Sequence, residues 1–274
     1  MRFSLSRISQ FNHPILTSLM HLHRILRISL LASATLSLSP STSIADERHF
    51  AFSYETITAA KGQVELENWI TWQARRGGGD NANLWKFRTE IEYGITDRLQ
   101  LGLYLANWSL TNDATHDNSV RYESASAELI YRMSHPTTDP IGSAIYLEVA
   151  GGHNLFAVEG KLLLQKNIGK LIVIWNGVLE AEWAGRGLRE RTAILEQTFG
   201  VSYQITPAFS AGGELVHEVA FADWSKSGPN ILFAGPNISW RFKRGYVTAA
   251  TLFQCTNIKD EPDIQTRVIF GIGF

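Results

Sequence analysis

Hydrophobic and polar residues alternate along most of this chain. From Leu84 to Ile95 the run LWKFRTEIEYGI sets Trp85, Phe87, Thr89, Ile91 and Tyr93 on one face and Lys86, Arg88, Glu90 and Glu92 on the other. A period of two is the period of a strand. The stretch Val64 to Gln73 repeats it, with Val64, Leu66, Ile70 and Trp72 opposite Glu65, Glu67 and Thr71. RGGGDNAN lies between the two and, being glycine-rich, stops both. Read this way, the pattern predicts twelve strands, near 63–74, 84–94, 99–110, 120–132, 141–150, 156–166, 170–183, 193–204, 208–218, 231–242, 246–256 and 264–274. Pro236 falls inside the tenth, where it has no N–H to donate, so a bulge or local break is expected there.

The connections sort into two kinds. Ile95 to Arg98, Asn167 to Lys170, Thr206-Pro207 and Lys243 to Gly245 are tight, and SHPTTDP at 134–140 is the longest of that set. The intervening ones are polar and mostly longer, as in TNDATHDNS at 111–119, GRGLRERT at 185–192 and ADWSKSGPN at 222–230. An even number of antiparallel strands with short turns at one end and long loops at the other is the layout of an outer-membrane barrel. The fold class expected is therefore all-β, an antiparallel up-and-down transmembrane β-barrel of about twelve strands.

The two faces of each strand indicate which one meets lipid. The polar faces carry Glu65, Glu67, Lys86, Arg88, Glu90, Glu92, Glu128, Glu148, Glu180, Glu182, Glu196, Glu214, Arg241 and Arg267, with Glu159 and Lys161 besides. That is more charge than the core of a soluble barrel can desolvate. The opposite faces carry Leu99, Leu101, Leu103 and Leu105, or Val268, Phe270, Ile272 and Phe274. Apolar side chains facing outward and charged ones facing a lumen is the arrangement that lipid as solvent favours. Trp72, Tyr93, Trp108, Tyr131, Trp183, Tyr203, Trp240 and Tyr246 stand near strand ends and are expected in interfacial girdles. In the proposed lumen glutamates outnumber basic residues. Two readings stay open: a lining that favours cations by its field, or cross-strand pairs that fill the interior.

The N-terminus changes the accounting. Residues 1–45 hold four arginines and no acidic residue, then the apolar run from Ile28 to Leu38, then Ser43-Ile44-Ala45. That order reads as a signal peptide cleaved after Ala45. Either Met1 or Met20 would serve as its start. Residues 46–61 are assigned as an N-terminal periplasmic segment, in which HFAFSYETITAA at 49–60 fits either a short strand or a plug, and residues 62–274 as the barrel. The whole chain has 25 Lys+Arg against 26 Asp+Glu. Loss of the leader leaves 21 basic residues, hence a net charge of −5, which argues against nucleic acid as a partner. The single cysteine, Cys255, excludes an internal disulfide.

The run EIEYGITDRLQLGLYL from Glu90 to Leu105 resembles the strand–turn–strand unit of Gram-negative outer-membrane proteins, including the family associated with the meta-pathway of phenol degradation. RVIFGIGF, ending on Phe274, is similar to the terminal strand with a closing aromatic that the barrel-assembly machinery reads. KGQVELENWITW from Lys61 and GPNISWRF from Gly235 resemble an uncharacterised group of barrel proteins described as transporters. The resemblance implies an outer-membrane location, insertion through the assembly machinery with Phe274 as the signal, contact with outer-membrane lipid and passage of small solutes. It supplies no catalytic residues.

Enzymatic chemistry finds no constellation. A barrel phospholipase needs a His and a Ser two apart on one strand, whereas His217 has Leu215 and Val219 at those positions and His153 has Gly151 and Leu155. His116-Asp117 lies in a loop, and the histidines are scattered with no metal-ligand spacing. RGGGDN lacks the Lys-Ser/Thr of a phosphate loop. No cofactor, metal or catalytic site is assigned. The expectation is a monomeric outer-membrane porin or transporter with an acidic, cation-favouring lumen, set against a non-conducting structural or adhesive barrel and a secreted β-sandwich or lipid-binding protein.

Overall fold

A computed structural model describes residues 48–75, 82–113, 119–259 and 261–274. The strands are β1 Val64–Arg75, β2 Ala82–Thr96, β3 Leu99–Asp113, β4 Ser119–Ser134, β5 Gly142–Gly152, β6 Leu155–Ile168, β7 Leu171–Ala184, β8 Glu190–Thr206, β9 Phe209–Ala222, β10 Lys226–Ser227, β11 Ile231–Phe242, β12 Gly245–Gln254 and β13 Ile264–Gly273. β10 is a two-residue turn-back on β9 and lies outside the ring. The other twelve pair with their neighbours antiparallel, and β1 closes on β13 from Glu65 opposite Gly273 to Ala74 opposite Ile264. Each falls where the alternation predicts it. Closure leaves no sheet edge and so satisfies the backbone without water.

The turns at 97–98, 135–141, 169–170, 207–208 and 243–244 share one end of the barrel with the two ends of the ring-forming chain, Val64 and Phe274. Phe274 N–H is bonded to the Val64 carbonyl at 2.9 Å there. The opposite end carries the longer connections, though 153–154 is a two-residue link. The glycine-rich stretch 76–81 and residues 114–118, with His116-Asp117, lie outside the described residues, as does the leader expected over 1–45.

β5 shows how the sequence sorts inside from outside. Ala144 and Tyr146 are wholly buried and Glu148 nearly so, whereas Ile145, Leu147 and Val149 are 51%, 48% and 42% exposed. Leu103, Leu105, Leu129, Leu162, Leu179, Ile238, Phe253 and Phe270 extend the exposed apolar band around the ring. A surface of this kind is unfavourable in water and matched to hydrocarbon. The Phe87 and Trp108 rings stack on it at 4.1 Å.

Two departures from the alternation have local causes. One extra residue, Leu105, bulges β3 between its partners on β2, so Tyr104 and Asn107 both point inward. Beside Pro236, the pairing of β11 with β12 lapses between Ala234 and Asn237 without shifting register, so the missing N–H gives a break and not a bulge. Of the expected girdle residues, Tyr93, Trp108, Tyr131, Tyr203 and Trp240 are exposed outward, but Tyr246 is buried in the lumen with its hydroxyl bonded to Glu67.

Candidate functional site

Of residues 46–61, assigned from the sequence as an N-terminal periplasmic segment with a plug as one option, 48–60 lie inside the ring. This extended segment is bonded to side chains all around the wall. The Ala51, Phe52 and Ser53 amides each donate to the Glu214 carboxylate at 2.8 Å. Asn176 accepts from Tyr54 N–H at 2.7 Å and donates to its carbonyl at 2.9 Å. Gln165 accepts from Thr56 N–H and Gln100 from Ala59 N–H, both at 2.7 Å. Asn237 and Ser239 each donate, at 2.8 Å, to the carbonyls of His49 and Arg48. Arg267 donates to the Ala51 carbonyl at 3.0 Å.

The heights of these partners define the path. Ser239 and Thr248, which hold Arg48, lie near the turn end; Glu214 and Asn176 lie higher; Gln165 and Gln100 lie near the turn end again. The segment is thus an arch that rises into the lumen and descends to join β1. Gly94 is where its descending limb meets the wall. A Cβ there would fall 2.1 Å from the Ala60 carbonyl oxygen, so only glycine allows the approach.

Phe50, Ala51, Phe52 and Tyr54 are buried, and side chains crowd onto the crown of the arch. Tyr54 packs edge-on to Tyr146 at 5.2 Å and tilted to Trp69 at 6.0 Å. Arg48 lies 4.7 Å above the Trp69 ring and 3.5 Å from Glu67, Lys161 lies 3.8 Å above the Tyr54 ring, and Arg267 lies 4.3 Å above Phe52. Cations placed over aromatic faces are held by the ring quadrupole in addition to their ion pairs.

Above the arch a vestibule with a cavity volume of about 140 Å³ faces the loop end. Lys86, Arg88, Glu159, Lys161, Glu180, Glu196 and Arg267 of the sequence-predicted lumen residues line it, together with Glu123 and Glu218. Arg88 pairs with Glu148 at 3.1 Å and donates to Asn107 at 3.1 Å; Lys161 pairs with Glu159 at 2.9 Å. Five carboxylates thus face four cations. Of the other predicted residues, Glu182 is buried high on β7. Glu65, Glu67, Glu90, Glu92 and Glu128 are buried in the turn-end half of the wall, and Glu214 is spent on the arch. Arg241 shares the inward parity of Asn237 and Ser239 and donates to the Pro207 carbonyl at the turn-end mouth.

The residues missed are those that grip the arch: Asn176, Gln165, Gln100 and Asn237. A single amide amid the apolar run LIVIWNGV is the signal that marked Asn176. A buried amide offers both a donor and an acceptor to an extended backbone, and an inward strand position aims it there.

Ring, lumen and outer surface define a closed twelve-stranded antiparallel barrel with the fold of an outer-membrane channel. The chain belongs to a family of unknown function, DUF6662, whose model matches residues 42–261, so the resemblance to an uncharacterised barrel family holds. No curated protein matches it. Among solved structures it is similar to the COG4313 outer membrane channel from Pseudomonas putida F1, at 12% identity and a TM-score of 0.57, over 80% of this chain and 98% of that one. It also matches the NanC porin at 9% identity and 0.46, over 77% and 98% of the two chains. The translocator domain of the autotransporter NalP from Neisseria meningitidis gives 13% and 0.48, over 93% and 97%. The fold rests on the first of these.

Proposed function

We propose that the protein is a small-solute channel of the Gram-negative outer membrane, favouring cations and closed at its turn end by the N-terminal arch. The observation that carries this reading is the vestibule: a cavity in the loop-end half of the barrel, lined by five carboxylates and four cations and floored by a segment that belongs to no ladder. Removing the arch breaks no strand-to-strand hydrogen bond, so the barrel can persist without it. The acidic lining attracts cations by its field. Export through a leader over residues 1–45, periplasmic placement of the turn end, and assembly through the terminal strand ending on Phe274 complete the proposal; the exposed apolar band supports lipid as the partner. Barrels of this fold normally carry no catalysis, and no enzymatic role is proposed.

The test is selectivity. In the chain lacking residues 48–60, a salt gradient across a planar bilayer should give a reversal potential of cation sign. Glu180→Gln with Glu196→Gln should move it toward zero. An anion-signed potential contradicts the acidic-lining reading.

A further inference from the structure

We infer that Glu90, Glu92 and Glu128 hold a divalent cation, calcium by its chemistry, on the inner wall of the barrel below the crown of the arch. The strand register gathers the three. Glu92 of β2 lies opposite Gly102 of β3, and Gly102 lies opposite Glu128 of β4; Glu90 is two residues from Glu92 and so on the same face. One carboxylate oxygen from each of the three lies within 4.8 Å of the other two. Oxygens so spaced reach one ion at calcium's ligand distance of roughly 2.3–2.6 Å with small side-chain rotations.

Proximity of acids is common without an ion, and the state of Glu90 is what singles this group out. Glu90 is wholly buried, and neither of its oxygens has a hydrogen-bond partner; the Glu128 Oε1 also has none. Among the described residues Glu90 is the one carboxylate with both oxygens buried and without a hydrogen-bond donor, and three neighbours in the lumen show the contrast. Glu214 takes three amides. Glu148 takes Arg88 and the Tyr146 hydroxyl. Glu67 takes Trp69 Nε1 at 2.7 Å, the Tyr246 hydroxyl and, at 3.5 Å, Arg48. Arg48 acts on Glu90 and Glu92 through its charge but gives Glu90 no hydrogen bond, and a buried carboxylate without a donor is an unmet electrostatic cost that a bound cation meets.

Gly102 gives the group its room. A Cβ there would fall 2.5 Å from Glu128 Cγ and 2.5 Å from Glu90 Oε1, so any other residue would intrude between the carboxylates. An all-carboxylate donor set with no His or Cys suits a hard cation and not zinc or copper. Magnesium keeps its waters and demands a near-ideal octahedron, whereas calcium accepts mono- or bidentate carboxylates in irregular geometry. Glu65, Glu67 and Glu92 form a second acidic triad that shares Glu92. Glu67 is already engaged, so the ion is assigned to the first.

The inference is independent of whether the barrel conducts. The barrel is refolded in detergent, stripped with EDTA, and offered calcium. Expected are about one bound calcium per chain by elemental analysis after gel filtration, and a thermal unfolding midpoint that climbs with calcium concentration. Glu90→Gln should bind none and show no climb, while Asp223→Asn, on an outer loop, should behave as wild type. If Glu90→Gln does not fold, terbium replaces calcium in the wild type. Tyr104, whose hydroxyl donates to Glu128 at 2.8 Å, should then sensitise terbium emission that calcium quenches by competition. No bound calcium and no such emission in the folded wild type, or equal binding by a folded Glu90→Gln, would overturn the site and leave carboxylates that share protons.

Discussion

Glu214 shows how single residues settle a polar interior. Its carboxylate collects three backbone amides of the arch, which gives the anion its donors and the amides their acceptor in one place. Hydrogen bonds to a charged group are among the stronger ones a protein makes. Glu214→Ala would leave three buried N–H groups unmatched, at a cost on the order of 3 kcal/mol or more. Amide exchange at Ala51, Phe52 and Ser53 is expected to speed up by about a hundredfold, since about 1.4 kcal/mol is a factor of ten. Unchanged protection by hydrogen-exchange mass spectrometry would mean that the crown is held by its ring contacts instead. The inward placement of Glu214 was legible from the period of two; its task was not, because the partner is a backbone and leaves no trace in side-chain pattern.

At the scale of elements the twelve ring strands follow from alternation and turn chemistry, since a one-residue slip would bury leucines and expose glutamates. What alternation missed has a physical cause in each case. HFAFSYETITAA has strand-like composition but takes its hydrogen bonds from side chains, and no rule of strand pairing reports that. Tyr246 follows a tight turn, where a girdle position and a lumen position are one residue apart, and the bond to Glu67 decides it. The packing of the arch against β2 depends on Gly94. Gly94→Ala is expected to displace Ala59 and Ala60, and to make the arch accessible to protease while the heat-modifiable barrel persists on gels. A protected arch in that variant would show that the wall yields instead.

The whole molecule is an inverted protein: apolar outside, charged within, its backbone closed on itself. That inversion gives a channel fold its wall; on the proposed function, the arch decides whether the wall encloses a passage. The sequence alone left open a cation-favouring lining or cross-strand pairs that fill the interior; on the proposed function the vestibule carries the first, and the arch in place of such pairs fills the turn end. The direct test compares single-channel conductance of residues 46–274 with that of the same chain lacking 48–60, both refolded in detergent and inserted in planar bilayers. Closure by the arch predicts rare or small openings in the first and a steady, larger conductance in the second. Equal conductance in the two, or none in an arch-free barrel that is folded, would contradict it.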